Sequence, residues 1–205
     1  MVETPMSLPK IKLALGREFC IDTLADAVRE GANILITGIA SSGKSSLLCA
    51  LAAYVPHTER VVVLDDLRAV MVLGGDPATV QPVLLDGSCC FVQWAIETYP
   101  DRLIVDDLRE TEATGFVRAH SVGRAGGMVS MPGTSARGAL ERLAVLMAVT
   151  SAPPDSKSLP DIRLAISKCF SYVIHLQREN NRRYVSEVLA VQGFKDGDYV
   201  LNRIF

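Results

Sequence analysis

Charge of one sign is the first thing this sequence lacks. Lysine and arginine (21) nearly balance aspartate and glutamate (23), leaving a net charge of −2. Bulk attraction to nucleic acid or to an anionic membrane needs a basic excess, so neither is expected to hold this chain by charge, and no direct nucleic-acid binding is expected. Long hydrophobic runs are missing too, and no stretch approaches the ~18 apolar residues of a spanning helix. The first twelve residues carry Glu3, Pro5 and Pro9 and no apolar segment, which argues against a secretory signal. The five cysteines (Cys20, Cys49, Cys89, Cys90, Cys169) show no C-x-x-C spacing and read as reduced core residues of a cytoplasmic protein. The three histidines (His57, His120, His175) have no metal-ligand spacing, and the single tryptophan, Trp94, reads as a core anchor. Low-complexity tracts and internal repeats are absent.

What is present is an ordinary globular composition: 49% hydrophobic and 21% charged residues in a chain of 205. That is enough to build one core of domain size. Residues 1–18 read as a mixed lead-in and 19–205 as one domain. Ile21, Leu24, Ala25 and Val28 follow helical spacing, with Gly31 at the C-cap position. Asn33–Thr37, Val61–Leu64 and Leu103–Val105 are continuous apolar runs, the pattern of strands buried on both faces. Met128–Met131 is a fourth strand candidate. Helices are expected from Lys44 to about Tyr54, over about Cys90–Tyr99, and after Ser135, where Leu140, Leu143, Ala144 and Met147 form a stripe. Ser151–Pro160 reads as an exposed loop. The end turns β-rich, over Tyr172–Gln177, Arg183–Val191 and Tyr199–Ile204, with turns at Glu179-Asn180-Asn181 and Asp196-Gly197. The expected fold is α/β: a mostly parallel sheet flanked by helices, closed by a C-terminal antiparallel β-meander.

One motif carries chemistry. Gly38-Ile39-Ala40-Ser41-Ser42-Gly43-Lys44-Ser45 is a complete G-x-x-x-x-G-K-[ST] string between a buried strand and a helix. Gly38 and Gly43 permit backbone angles that aim consecutive N–H groups at a phosphate, and the helix start adds partial positive charge. Ser41, Ser42, Gly43, Lys44, Ser45 and Ser46 are the residues expected to surround the phosphates of ATP. Lys44 is suited to bridge the β- and γ-phosphates and Ser45 to ligand Mg2+. Two acidic pairs, Asp65-Asp66 and Asp106-Asp107, lie just past buried strands, at the sheet edge where ligands collect. Either pair fits a metal or an attacking water; either also fits a plain strand end or helix cap. Arg109, close behind Asp107, suits a phosphate contact or a local ion pair. Arg60, Arg68, Arg102 and Arg118 are further arginine-finger candidates.

Read together, these segments resemble the C-terminal motor domain of the secretion ATPases of type II and type IV secretion, type IV pili and conjugal transfer. NILITGIASSGKSSLLCAL is similar to that family's strand–loop–helix segment. VVVLDDLRAV is similar to its Asp box, YPDRLIVDDLRE to its Walker B segment, and TSARGALERL and YVSEVLAVQGFKDGDYVL to its closing segments. The resemblance spans about residues 15–205 and implies a RecA-like P-loop domain that hydrolyses ATP. In that scheme Asp107 orients water, Asp106 or Asp66 supports Mg2+ together with Ser45, and Arg109 serves near the phosphates beside Lys44.

The resemblance also implies a hexameric ring at the inner face of the membrane, within the secretion machinery. This sequence departs from the family pattern at marked points. The Walker B Gly-Glu is Asp106-Asp107, Pro132 takes the position of the His-box histidine, Glu97 or Thr98 replaces an arginine, and the family's N-terminal domain has no counterpart in the sequence, as expected of either a single-domain member or a trimmed chain. Two readings follow: an ATPase with weak or conditional turnover, or a nucleotide-binding regulator that docks on another secretion ATPase. A small-molecule kinase shares the loop but needs an arginine-rich lid, which the closing β-meander argues against.

Overall fold

The structure is a computed structural model that describes residues 21–64, 80–83, 96, 99–123, 125–150, 158–180 and 182–205. Asp65, Asp66, Arg68, Trp94, Glu97, Thr98, Cys20, Cys89 and Cys90 lie outside them, as do the lead-in and most of the helix expected over Cys90–Tyr99.

Among the described residues eight strands form one sheet: β1 (Ile34–Gly38), β2 (Val61–Leu64), β3 (Val80–Val83), β4 (Arg102–Val105), β5 (Gly127–Pro132), β6 (Tyr172–Glu179), β7 (Arg182–Lys195) and β8 (Asp198–Arg203). Their order is β3-β2-β4-β5-β1-β6-β7-β8. Pairings from β3 through β6 are parallel, and β6–β7 and β7–β8 are antiparallel. This is the parallel sheet with an antiparallel closure that the alternating apolar runs imply. Strand β3 was not legible. It contains Pro82, which has no amide hydrogen for a ladder, and it is accommodated at the sheet edge.

Five helices pack on this sheet among the described residues: α1 (Ile21–Arg29), α2 (Lys44–Ala52), α3 (Glu110–Ser121), α4 (Ala136–Thr150) and α5 (Leu159–Cys169). Strand alternation sends Ile34, Ile36, Ile104, Ile174 and Leu176 to one face, against Leu24 and Val28 of α1 and Leu47, Leu48 and Leu51 of α2. Leu35, Val105, Val129 and Val173 meet Phe116 of α3, Leu140 and Leu143 of α4 and Ile166 of α5 on the other. Helix α1 ends as its pattern implies: Gly31 adopts φ 83°, a conformation that favours glycine. Cys49 and Cys169 are free and buried, in keeping with a core reading. Among the described residues no helix is long and apolar enough to cross a membrane.

Arg102 opens β4 with its side chain only 5% exposed, paired with Glu59. Its Nη2 donates to Glu59 Oε1 at 3.0 Å. A Cβ on Gly126 would lie 2.3 Å from Arg102 Cδ, so only glycine leaves room for this guanidinium. Arg102 therefore binds the scaffold together at the start of β4. Arg60 sits at the same end, its backbone N–H bonded to Asp101 Oδ2 at 2.7 Å. Neither arginine is at the carboxyl edge of the sheet.

Candidate functional site

The carboxyl edge of β1 runs directly into the glycine loop. A Cβ at Gly38 would lie 2.5 Å from the Leu176 carbonyl oxygen and 2.5 Å from Ser42 Oγ, so strand β6 and the loop close on a residue without a side chain. Ser41 adopts φ 58° and Gly43 φ 100°, both left-handed, with Ser42 between them. Such alternation turns successive N–H groups toward one point. Gly43 is the N-cap of α2, and among the described residues no side chain caps the helix. The N–H groups of its first turn, which have no partners within the helix, are left to an outside acceptor.

Ser41, Gly43, Lys44, Ser45 and Ser46 line a cavity of about 190 Å³ together with Arg183. Lys44 Nζ donates to the Ile39 carbonyl at 3.0 Å, which folds the ammonium over the loop. Ser42 faces the other way. It is fully buried, its Oγ has no partner among the described residues, and its N–H donates to the Ile39 carbonyl at 3.2 Å. Gly38 and Ser42 thus shape the loop, whereas the other five expected residues face the cavity.

The second acidic pair is held by one serine. Ser130 on β5 is buried; its Oγ donates to Asp106 Oδ1 and accepts the Asp107 N–H at 3.0 Å. The chain then reverses at Asp107, with φ 54°. Asp106 ends half-buried and Asp107 exposed. Asp106 also acts on α2: burial first, and the Asp106 charge second, push the Cys49 thiol up to about 11.

Arg109 is exposed at the start of α3, where its N–H donates to Glu112 Oε2 at 3.2 Å. It is not among the residues lining the cavity. Pro132 is the register partner of Gly38, and the Gly133 N–H donates to the Gly38 carbonyl at 3.3 Å. The β5–α4 corner therefore abuts the loop, and the residue it offers there has no donor or acceptor on its side chain.

The residue that sequence reasoning missed is Arg183. It comes from the first turn-proximal residues of β7, and no motif spacing links it to the loop. Its Cδ would lie 3.4 Å from a Cβ at Gly43.

The residues present fit a nucleotide's phosphate chain: a loop with left-handed Ser41 and Gly43, a helix start without a side-chain cap among the described residues, and Lys44 and Arg183 at the cavity. The exposed Ser45 hydroxyl at the cavity is an oxygen donor of the kind Mg2+ takes.

Comparison with known proteins gives a consistent result. The model of the family described as type II/IV secretion system protein matches residues 11–188. The type IV secretion system protein PtlH of Bordetella pertussis is 31% identical over 183 residues, covering 82% of this chain and 52% of that protein. The probable conjugal transfer protein TrbB of Sinorhizobium fredii is 23% identical over 180 residues, covering 86% of this chain and 53% of that protein. The crystal structure of the VirB11 ATPase from the Brucella suis type IV secretion system, in complex with sulphate, superposes with a TM-score of 0.75 at 24% identity. It covers 83% of this chain and 53% of its own. That last likeness is one of fold. The chain spans about half the length of the curated relatives it matches.

Proposed function

The chain belongs to the type II/IV secretion system protein family, and on that premise we propose that it is an ATP-binding motor domain that hydrolyses ATP to drive macromolecule transport or pilus assembly. The observation that carries the reading is the loop itself. Two left-handed residues, Ser41 and Gly43, open an uncapped helix whose Lys44, Ser45 and Ser46 face one cavity.

In this proposal the loop N–H groups and Lys44 bind the phosphates of ATP. Lys44 leaves the Ile39 carbonyl for the phosphate oxygens, trading a neutral acceptor for a charged one. Ser45 and Asp106 would hold Mg2+, with Asp66 as the further candidate acid; the metal would supply charge neutralisation at the β- and γ-phosphates. Asp107, exposed on its left-handed turn, is placed to orient a water, and Ser130 fixes the backbone that aims it. Arg109, exposed two residues after Asp107 and outside the cavity lining, would have to swing in to meet the reacting phosphate. The proposed assembly is a homo-oligomeric ring, or a complex with another secretion ATPase, at the membrane machinery. The chain's similarity to a type IV secretion system protein and to a conjugal transfer protein supports that setting.

Turnover is expected to be weak. A carboxylate one methylene shorter than glutamate at position 107 reaches less far, and displacements near ~1 Å cost about a hundredfold. Pro132 beside Gly38 removes a polar side chain from the same edge. Steady-state ATP hydrolysis tests the proposal. Lys44→Ala is expected to abolish turnover, and Asp107→Glu with Pro132→His to raise it by about tenfold or more. Turnover that survives Lys44→Ala would overturn the assignment.

The same Pro132 observation favours the second reading, a nucleotide-binding regulator. A double variant with no gain in turnover is the outcome that reading expects.

A further inference from the structure

The β6–β7 hairpin overhangs the phosphate loop. Strand β6 runs parallel to β1, with Leu176 opposite Gly38, and Gln177–Glu179 carry it on past the point where β1 ends. The returning strand β7 brings Arg183 opposite Arg178. Arg183 shares a strand face with Val185, which packs with Leu47 and Leu48 of α2. Its guanidinium is thus on the side of the sheet that carries α2, and it lines the cavity.

Two features show that this arginine is not there for the fold. It is exposed, and among the described residues it makes no ion pair. Its directly opposed neighbour is another arginine.

The direction of approach identifies which phosphate. Asp106 follows β4, on one flank of the loop, beyond β5. Arg183 comes from the other flank, beyond β6. The acids and the metal belong with the terminal phosphate, where water attacks. A cation on the opposite flank meets the chain nearer the nucleoside.

We propose that Arg183 is an inner-phosphate clamp: it binds the β-phosphate, the group that ATP and ADP share, and so retains ADP after hydrolysis. This rests on the nucleotide-binding reading above.

The test is equilibrium binding of ADP and of Mg-ATP to the full chain, with stopped-flow dissociation of ADP, for wild type, Lys44→Ala, Arg183→Ala and Arg183→Lys. Arg183→Ala is expected to weaken both nucleotides alike, by about tenfold, and to speed ADP dissociation by a similar factor. Arg183→Lys recovers part of the loss, because it keeps the charge and loses the fork. The ligand-free melting temperature of Arg183→Ala stays level, since the side chain is exposed and makes no ion pair among the described residues. Unchanged ADP and ATP affinities in Arg183→Ala would overturn the clamp. A loss confined to ATP would also overturn it, by moving the guanidinium to the terminal phosphate. If Lys44→Ala leaves both affinities intact, or the wild-type chain binds neither nucleotide, the nucleotide reading itself fails, and the clamp with it.

Discussion

Single residues show where sequence and structure inform each other unequally. Lys44, Ser45 and Gly43 were legible because their chemistry is local: a loop, a helix start and a cation within one short string. Arg183 was not, since only the hairpin's pairing with β6 brings it to Gly43. His175 illustrates a different kind of residue. The residue is 3% exposed and its Nδ1 lacks a partner among the described residues. Burial holds its pKa below the ordinary 6.5, opposed by the Glu187 carboxylate. Across β1 the residue in register is Thr37, whose buried hydroxyl also lacks a partner, and Glu187 lies opposite on β7. A histidine buried neutral contributes stability that is complete above its unfolded pKa. That contribution is lost as pH falls below it, because only the unfolded chain takes the proton readily. The melting temperature is therefore expected to drop between pH 7 and 5, and His175→Gln to flatten that part of the profile. An unchanged slope would show that other groups carry it. Arg102 and Glu59 make a sharper case. The arginine is buried and Glu59 is 26% exposed on its side chain. Glu59→Gln leaves a buried guanidinium short of its counter-charge and is expected to cost about 2 kcal/mol by urea denaturation with the m-value unchanged.

At the scale of elements, period and punctuation decided what could be read. The continuous apolar runs gave β1, β2 and β4, because parallel strands buried on both faces admit few polar residues. The closing meander was legible from its turns: Asn180 at φ 47°, and Asp196 and Gly197 at φ 53° and 83°, provide the left-handed pair of a tight hairpin. Helix α5 was lost to its own start signals. Pro160 reads as a breaker and extends the apparent loop, yet it sits in the first helical turn, where a missing N–H costs nothing. Ser158 caps that turn, accepting the Asp161 N–H at 3.4 Å. Ser158→Ala is expected to destabilise by about 1 kcal/mol, seen as a shifted denaturation midpoint. A shift indistinguishable from zero would mean the cap is not made in solution.

At the scale of the whole molecule, the sheet separates two tasks. Its amino edge is sealed by Arg102, Glu59, Gly31 and Gly126, while its carboxyl edge gathers the loop, the Asp106-Asp107 pair and the hairpin arginine. This division follows from parallel topology, which puts every strand end and every crossover start on the same side. The proposed ring is a whole-molecule property that a single chain does not express. Light scattering with and without Mg-ATP is expected to show a nucleotide-dependent rise in mass, and a constant monomer mass would favour the docking regulator.

The central claim is that the loop of Gly38–Ser45 binds ATP through Lys44. Calorimetric titration of Mg-ATP into the wild-type chain and into Lys44→Ala tests it most directly. The expected result is saturable binding by the wild type, weakened by about tenfold or more in the variant while its melting temperature without ligand is unchanged. Equal affinities in the two proteins would contradict the account.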